Sequence, residues 1–158
     1  QRERFSMEVV EAGKSGEDLF ALCYPEINPS PADDLSYDFN SDIGKIEVKT
    51  DTYSMLKTPN FFLERYGCSE KRQPGGPWRS LKDGVDYFVY FFVDDLTFFW
   101  FKPKAFCKFL DKHTAGLKMK EIKNKSWITL GHAFPREKCA HLYRADTFKL
   151  KGKKYIKI

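Results

Sequence analysis

The sequence predicts a domain of the α+β class (mixed α/β), in which one central mixed β-sheet of about five strands is flanked by helices. Three observations predict this fold. The hydrophobic content of 42% and the aromatic content of 16% are those of a globular protein, and 158 residues suffice for one core. Segments with strand patterning lie between helical segments. No internal repeat or low-complexity linker divides the chain, which predicts a single domain over residues 1–158.

The first part of the chain is predicted to contain one helix and one hairpin. Apolar residues at helical spacing predict a helix over residues 5–23, with a break at 13–16. Its apolar face would consist of Phe5, Val9, Val10, Phe20 and Leu22. Three prolines make residues 24–34 a loop. A hairpin follows, with strands at 35–39 and 45–50 joined by turn residues.

The second part of the chain supplies the remaining elements. Strands are predicted at 61–66, 87–93, 96–101 and 127–133. A proline- and glycine-rich loop at 73–77 is followed by a helical turn at 80–83. Pro103 is expected in the first turn of a helix that runs to about residue 113, because proline is tolerated there. A short helix is expected at 135–143.

The charge of the chain permits a polyanionic partner without requiring one. The 27 basic and 22 acidic residues give a net charge of +5. One basic run contains Lys118, Lys120, Lys123 and Lys125. A second run, Lys149 to Ile158, contains five lysines and no acid. Each run is predicted either to bind nucleic acid or to be an ordinary solvated surface.

Cysteine spacing and hydropathy exclude two classes of protein. The four cysteines, Cys23, Cys68, Cys107 and Cys139, show no metal-ligand or redox spacing. They are therefore expected to be reduced thiols in a cytosol-like compartment. No apolar run approaches the roughly 20 residues that a membrane-spanning helix needs, so no membrane partner is expected.

The segment at residues 37–51, YDFNSDIGKIEVKTD, contains the residues on which a functional prediction depends. Side chains alternate along a strand, so Glu47 and Lys49 are expected on one face and Val48 on the other. The turn of the hairpin would bring Asp38 opposite Glu47. Two carboxylates and one ammonium are therefore expected to converge on one side of the hairpin.

Such a set suits the hydrolysis of a phosphodiester bond. Two carboxylates, with a backbone carbonyl such as that of Val48, can hold Mg²⁺ or Mn²⁺, which prefer oxygen ligands. The metal would activate a water molecule and neutralise charge on the phosphate. A neighbouring lysine could orient or deprotonate that water, or stabilise the transition state. The same Glu-Val-Lys pattern is also common on the exposed face of ordinary amphipathic strands.

Two later segments extend this pattern. IEVKTD is followed by TPNFFLERYG at residues 58–67 and by GVDYFVYFFV at residues 84–93. In this order the segments resemble the PD-(D/E)XK nuclease superfamily. The resemblance is closer to phage- and bacteria-borne members with an EVKTD strand, a T-G-N-apolar-apolar-E strand and an A-D-Y-apolar strand. Pro59 stands where glycine is usual, and Val85 stands where alanine is usual. The resemblance covers about residues 38–101.

The resemblance implies a restriction-endonuclease-like fold and an active site with Mg²⁺ or Mn²⁺. Asp38 matches the metal-binding aspartate, Glu47 the second metal ligand, and Lys49 the catalytic lysine. Glu17 matches, more weakly, the helix glutamate that many members add to the metal site. Asp34 is the alternative first ligand. Asp38 is preferred because its neighbours form a strand pattern and its hairpin partner would lie near Glu47.

Other charged residues are secondary candidates. Glu64 and Asp86 lie among apolar strand residues, where an unpaired carboxylate would be costly, so each is expected to act at the site or to form an ion pair. Arg79 follows the glycine-rich loop and is predicted to contact nucleic acid. The same role is predicted for Lys151, Lys153 and Lys154.

The predicted function is a metal-dependent nuclease that cleaves duplex or branched DNA, as an endo- or exodeoxyribonuclease. The resemblance places it in bacterial or phage nucleic-acid metabolism, in the cytoplasm of a bacterium or infected host cell. The alternative is a catalytically inactive nucleic-acid-binding or interaction module on the same fold. The intact set of two acids and a lysine favours the enzyme. Many members of the superfamily act as dimers, so a homodimer is open, although the sequence contains no dimerisation signal.

Overall fold

Three helices and eleven strands make up residues 15–158, the part of the chain that the computed structural model describes. The elements are, in chain order, α1 (Gly16–Cys23), β1 (Ser30–Pro31), β2 (Phe39–Ser41), β3 (Gly44–Asp51), β4 (Asn60–Cys68), β5 (Gln73–Pro74), α2 (Gly76–Lys82), β6 (Tyr87–Phe92), β7 (Thr97–Phe101), α3 (Pro103–Thr114), β8 (Lys120–Lys123), β9 (Ile128–Pro135), β10 (Arg144–Lys151) and β11 (Lys154–Lys157). Single turns of 3₁₀ helix lie at Pro25–Ile27 and Arg136–Cys139.

The strands form two sheets. The larger sheet has seven strands in the order β1-β2-β3-β6-β7-β10-β11. Strands β3 and β6 are parallel, and every other neighbouring pair in this sheet is antiparallel. The smaller sheet has the order β5-β4-β9-β8 and is antiparallel throughout. The sheet that contains the Glu-Val-Lys strand is therefore mixed.

The central strands β6 and β7 are buried on both faces. Their side chains alternate, so one face carries Val89, Phe91, Phe98 and Trp100, and the other carries Phe88, Tyr90, Phe92, Phe99 and Phe101. Helix α1 packs against the first face. Residues of β4, β9 and α3 pack against the second face. Both sheets thus belong to one domain, with the larger sheet between two apolar layers.

Helix α1 is short because both of its ends are defined locally. The Ser15 side chain accepts a hydrogen bond from the Asp18 amide, and the Asp18 carboxylate accepts one from the Ser15 amide, which forms a capping box. The helix buries Leu19, Phe20 and Cys23. Leu22 was expected on the apolar face but is 46% exposed, whereas Leu19 is fully buried. Phe5, Val9 and Val10 lie outside the described residues.

The predicted α+β class is confirmed, and the predicted count of about five strands is wrong. The central sheet has seven strands, and the strand expected at 61–66 belongs to the second sheet as β4. Strands β1, β5 and β8 were missed, and β1 and β5 have only two residues each. The hairpin strand expected at 35–39 lies at 39–41 as β2. The C-terminal hairpin β10–β11 was missed as a pair because lysines dominate its pattern. At 135–143 only a 3₁₀ turn forms, instead of the expected helix.

The cysteines are unpaired, and the helices of the described residues are short. All four cysteines are free thiols, and Cys23, Cys107 and Cys139 are buried. Burial raises the pKa of each of these three thiols to about 12, which makes them poor nucleophiles. Within residues 15–158, no helix is both long and apolar enough to cross a membrane.

Candidate functional site

The hairpin of β2 and β3 brings Asp38 to Glu47. Phe39 pairs with Ile46, so Asp38 stands opposite Glu47 just before β2 begins. The Asp38 amide donates to the Ile46 carbonyl at 3.0 Å, and the Asp38 Oδ2 accepts a hydrogen bond from the Val48 amide at 2.7 Å. These two bonds hold the Asp38 carboxylate against β3. The predicted juxtaposition of Asp38 and Glu47 is therefore present in the structure.

Glu47 carries the clearest electrostatic signature of the site. Burial, a hydrogen bond shared with Asp38 and the negative charge of Asp38 together raise the pKa of Glu47 to about 9 from an ordinary value of 4.5. Glu17 adds to this increase, whereas the positive charge of Arg79 opposes it. Burial and the neighbouring Asp38 therefore both disfavour the ionised form of Glu47.

Glu17 reaches this cluster from α1. Its pKa is raised, first by partial burial and then by a shared hydrogen bond and charge repulsion with Asp38. The capping box uses Asp18, which leaves Glu17 directed at the site. Gly16 brings the start of the helix against β3, since a Cβ atom at this position would overlap the Thr50 side chain. The glycine thus allows the close approach that places Glu17 beside Asp38.

Lys49 lies on the same face of β3 as Glu47. Val48, which lies between these two residues, and Ile46, which precedes them, point into the first apolar layer. This is the alternation that the sequence predicted. The Lys49 Nζ lies 3.5 Å from the Glu64 Oε1 on β4. Glu64, a secondary candidate, is thus the ion-pair partner of Lys49. Its position depends on Gly76, where φ is +48° and a Cβ atom would lie 3.0 Å from the Glu64 carbonyl.

The Val48 carbonyl faces the same gap as Asp38. Backbone groups alternate direction along a strand, and the amide and carbonyl of one residue point to the same edge. The Val48 amide points to Asp38, on the edge of β3 that faces β2. The Val48 carbonyl therefore points to this edge as well, next to the residue that precedes β2. This backbone oxygen thus lies on the edge of β3 that Asp38 occupies, and its role as a metal ligand stays a prediction.

A cleft of about 1100 Å³ opens from Glu47 and Lys49. One wall is β3, and the other is formed by β4, β5 and the start of α2. Arg79 lines this cleft and donates to the Asp83 carboxylate at 3.4 Å and to the Leu35 carbonyl at 3.4 Å. Lys71 and Lys82 also line it and are exposed. The wall opposite β3 thus carries these cations together with the acids Glu64, Glu70 and Asp83.

Asp34, the alternative metal ligand, and Asp86, a secondary candidate, both form hydrogen bonds with backbone amides. The Asp34 Oδ1 accepts a hydrogen bond from the Ser36 amide at 2.8 Å, and this bond holds the pKa of Asp34 below its usual value. Asp34 thus stabilises a turn. The Asp86 Oδ2 accepts from the Lys45 amide at 2.8 Å and so joins β6 to β3. Neither residue lines the cleft.

The predicted nucleic-acid contacts divide between two regions. Arg79 is in the cleft, whereas the exposed lysines Lys151, Lys153 and Lys154 lie on the β10–β11 hairpin at the edge of the large sheet. The neighbouring Lys157 lies 3.7 Å from the buried Asp146, so one lysine of this run has a structural partner. The role of the other lysines in binding nucleic acid stays a prediction.

Trp127 is a candidate residue that sequence reasoning missed. It was expected only to begin a strand, yet it lies in the β8–β9 turn, lines the cleft and is 46% exposed. Trp78 and Trp100, in contrast, are 6% and 5% exposed. The signal that could have identified it is an aromatic residue directly after the run of Lys118, Lys120, Lys123 and Lys125.

The carboxylates interact around Asp38 without forming a closed ligand set. Among residues 15–158, no three or more side chains of His, Cys, Asp and Glu are grouped closely enough to hold a metal ion. Comparisons with protein-family models, with curated proteins and with solved structures give no significant match. The resemblance to the PD-(D/E)XK superfamily therefore depends on the sequence segments alone.

Proposed function

We propose that this protein is a metal-dependent nuclease that hydrolyses phosphodiester bonds in DNA, with a restriction-endonuclease-like site. The observation that carries the proposal is that Asp38 interacts with both Glu17 and Glu47, and that Glu47 lines a cleft together with Lys49. Isolated Glu-Val-Lys patterns on exposed strands have no reason to gather two further carboxylates. A cluster of mutually repelling carboxylates is stabilised by a bound cation.

The residues present fit Mg²⁺ or Mn²⁺. Asp38, Glu47 and the Val48 carbonyl would hold the metal, and Glu17 would complete the set from α1. All are oxygen donors, which suits these ions and not soft metals. Burial and, after it, the neighbouring Asp38 raise the pKa of Glu47, and a bound cation would offset both effects. When bound, the metal would activate a water molecule and stabilise the charge that develops on the phosphate.

The other side chains would position the substrate and the reacting groups. Lys49 is held by Glu64 on the face that carries Glu47, where its ammonium can donate to a phosphate oxygen or to the attacking water. Arg79 is close enough to Glu47 to lower its pKa and would bind a second phosphate oxygen. Asp38, already bonded to the Val48 amide, keeps its orientation when a substrate binds.

The alternative function is a DNA-binding module without catalysis. One observation favours it: within the described part of the chain the carboxylates do not approach one another as a ready-made group of three ligands. A binding module would keep the basic residues of the cleft and would need no metal. The two functions therefore differ in their response to a divalent cation.

Cleavage assays with purified protein test the proposal. Supercoiled plasmid, linear duplex, branched and single-stranded DNA are incubated with Mg²⁺, with Mn²⁺ and with chelator, in parallel with Glu47→Gln. We expect cleavage that needs the metal and is lost in the variant. Binding without cleavage under every metal condition would overturn the nuclease and support the binding module. Cleavage that Glu47→Gln retains at an unchanged rate would show that the activity does not depend on this site and would overturn the proposal.

A further inference from the structure

The exposed ring of Trp127 indicates which form of DNA the cleft binds. This residue is the only one of the three tryptophans that is not buried, although large aromatic side chains usually bury most of their surface. Its turn is well anchored. The Asn124 amide donates to the Trp127 carbonyl at 2.8 Å, and the Ser69 amide donates to the Ile128 carbonyl at 2.8 Å. The ring is therefore presented by a defined backbone.

The anchoring extends into the wall of the cleft. The Asn124 side chain donates to the Thr129 hydroxyl at 3.0 Å, which itself donates to the Gly67 carbonyl at 3.0 Å. These bonds join the β8–β9 turn to the end of β4, the strand that carries Glu64. Trp127 consequently lines the same cleft as Glu47 and Lys49.

The charge around the ring is complementary to a nucleic-acid backbone. Residues 118–127 contain four lysines and one acid, Glu121. All four lysines are exposed, as is Lys71 in the cleft. Side chains of β8 are exposed on both of its faces, so its lysines flank the turn on either side. The cleft lining itself contains four acids and four bases, so the positive charge near the ring comes from these exposed lysines. An exposed aromatic ring with lysines beside it is an arrangement by which proteins hold single-stranded nucleic acid.

The size of the cleft agrees with a polymeric ligand. Sites for small molecules enclose about 300–1000 Å³. The cleft here measures about 1100 Å³ and is open, so it accommodates several nucleotides better than one small molecule. A tryptophan can stack only on a base whose face is uncovered, and neighbouring base pairs cover those faces in a continuous duplex.

We infer that the cleft binds an unpaired DNA segment, with one base stacked on Trp127 and its phosphates directed along Lys71 toward the acidic cluster. This inference depends on the proposed nuclease function and makes it more specific. The preferred substrate then has a single-stranded part beside the cleaved bond, as in a flap, an overhang or single-stranded DNA. A fully paired duplex would lack the stacking contact.

Tryptophan fluorescence tests this inference without cleavage. A short oligothymidylate and a duplex of the same length are titrated in chelator, where metal-dependent hydrolysis cannot occur. Because Trp78 and Trp100 are buried, a stacked base should quench mainly the Trp127 emission. We expect quenching by the single strand, and Trp127→Ala should weaken its binding by about 5- to 150-fold while Trp127→Phe retains most of it.

Tyr53→Ala provides a matched control, because Tyr53 is 68% exposed and lies outside the cleft lining. It should leave binding of the single strand unchanged. Binding of the oligothymidylate without quenching, absence of binding, or equal affinity of Trp127→Ala and the unaltered protein would each overturn the inference. Cleavage is read separately with Mn²⁺. Stacking without cleavage would contradict only the proposed nuclease function. Duplex cleavage that does not depend on Trp127 would contradict only the stacking inference.

Discussion

The Lys49 ammonium lies 3.5 Å from the Glu64 carboxylate and thereby connects the two sheets across the floor of the cleft. The pair is partly exposed, so its contribution to stability is small, about 0–1 kcal/mol. Its importance is geometric. Lys49 is flexible, and Glu64 restricts its ammonium to the side of β3 on which Glu47 lies. The carboxylate of one sheet therefore positions the cation of the other.

Removing the Lys49 ammonium should stop catalysis and spare metal binding. We expect Lys49→Ala to lower the cleavage rate by on the order of a hundredfold or more, because the ammonium acts on water or phosphate. Stabilisation by Mn²⁺ should persist in thermal melts. Lys108→Ala, an exposed lysine on α3, serves as the control. Near-normal turnover by Lys49→Ala would remove the lysine from the mechanism.

Removing the Glu64 carboxylate should have a smaller effect. Glu64→Gln releases Lys49 without deleting it, so we expect a loss of roughly 10- to 100-fold in rate, typical of a residue that orients another. The double variant with Lys49→Ala should be no slower than Lys49→Ala alone, because Glu64 acts through the lysine. Additive losses in a double-mutant cycle would assign Glu64 an independent function, such as metal binding.

Glu47→Gln should stabilise the metal-free protein and abolish stabilisation by metal. The pKa of Glu47 rises from 4.5 to about 9 on folding, so the folded chain retains a proton that the unfolded chain releases. Stability from this group therefore falls as the pH rises between these values. At pH 8 in chelator we expect Glu47→Gln to gain about 1–3 kcal/mol.

The corresponding measurement is denaturant unfolding of both proteins at pH 5 and pH 8. The advantage of Glu47→Gln should be larger at pH 8. With metal at about 100 times its dissociation constant, only the unaltered protein should gain about 2.7 kcal/mol. Equal gains in both proteins would show that the cation binds elsewhere.

Gly16→Ala should impair the site through the position of α1. Alanine favours helix, but its Cβ would overlap Thr50 and displace the start of the helix that carries Glu17. We expect weaker Mn²⁺ binding by calorimetry, similar to the effect of Glu17→Gln. The two changes together should cost little more than either alone. Unchanged metal affinity in both variants would exclude Glu17 from the ligand set.

The β10–β11 lysines should contribute affinity without sequence preference. Lysines contact phosphates as point charges, and each neutralised phosphate adds about 0.9 to the slope of log affinity against log salt on duplex DNA. We expect replacement of Lys151, Lys153 and Lys154 by glutamine to flatten that slope, measured by fluorescence anisotropy in chelator. Lys104→Gln, on α3, is the control. An unchanged slope would identify the hairpin as an ordinary solvated surface.

Local patterns predicted the part of the site that lies within one hairpin. Alternation over residues 45–50 and the turn before them are short-range features, so Asp38 and Glu47 could be placed opposite each other from the sequence. The Lys49–Glu64 pair depends on how two sheets pack, which no local pattern encodes. The exposure of Trp127 likewise depends on the hydrogen bonds that join β8–β9 to the end of β4. The strand count failed where strands were very short or rich in lysine.

The parallel pairing of β3 with β6 determines the order in which parts of the cleft can assemble during synthesis. A parallel connection needs a long crossover, and here that crossover contains β4, β5 and α2. Strand β4 in turn pairs with β9, with Asn60 opposite Pro135. During synthesis the β2–β3 hairpin thus emerges well before β9, the strand that supports β4 on the opposite wall of the cleft. A nascent chain that has not yet reached β9 therefore holds the β2–β3 hairpin while the opposite wall of the cleft lacks its supporting strand.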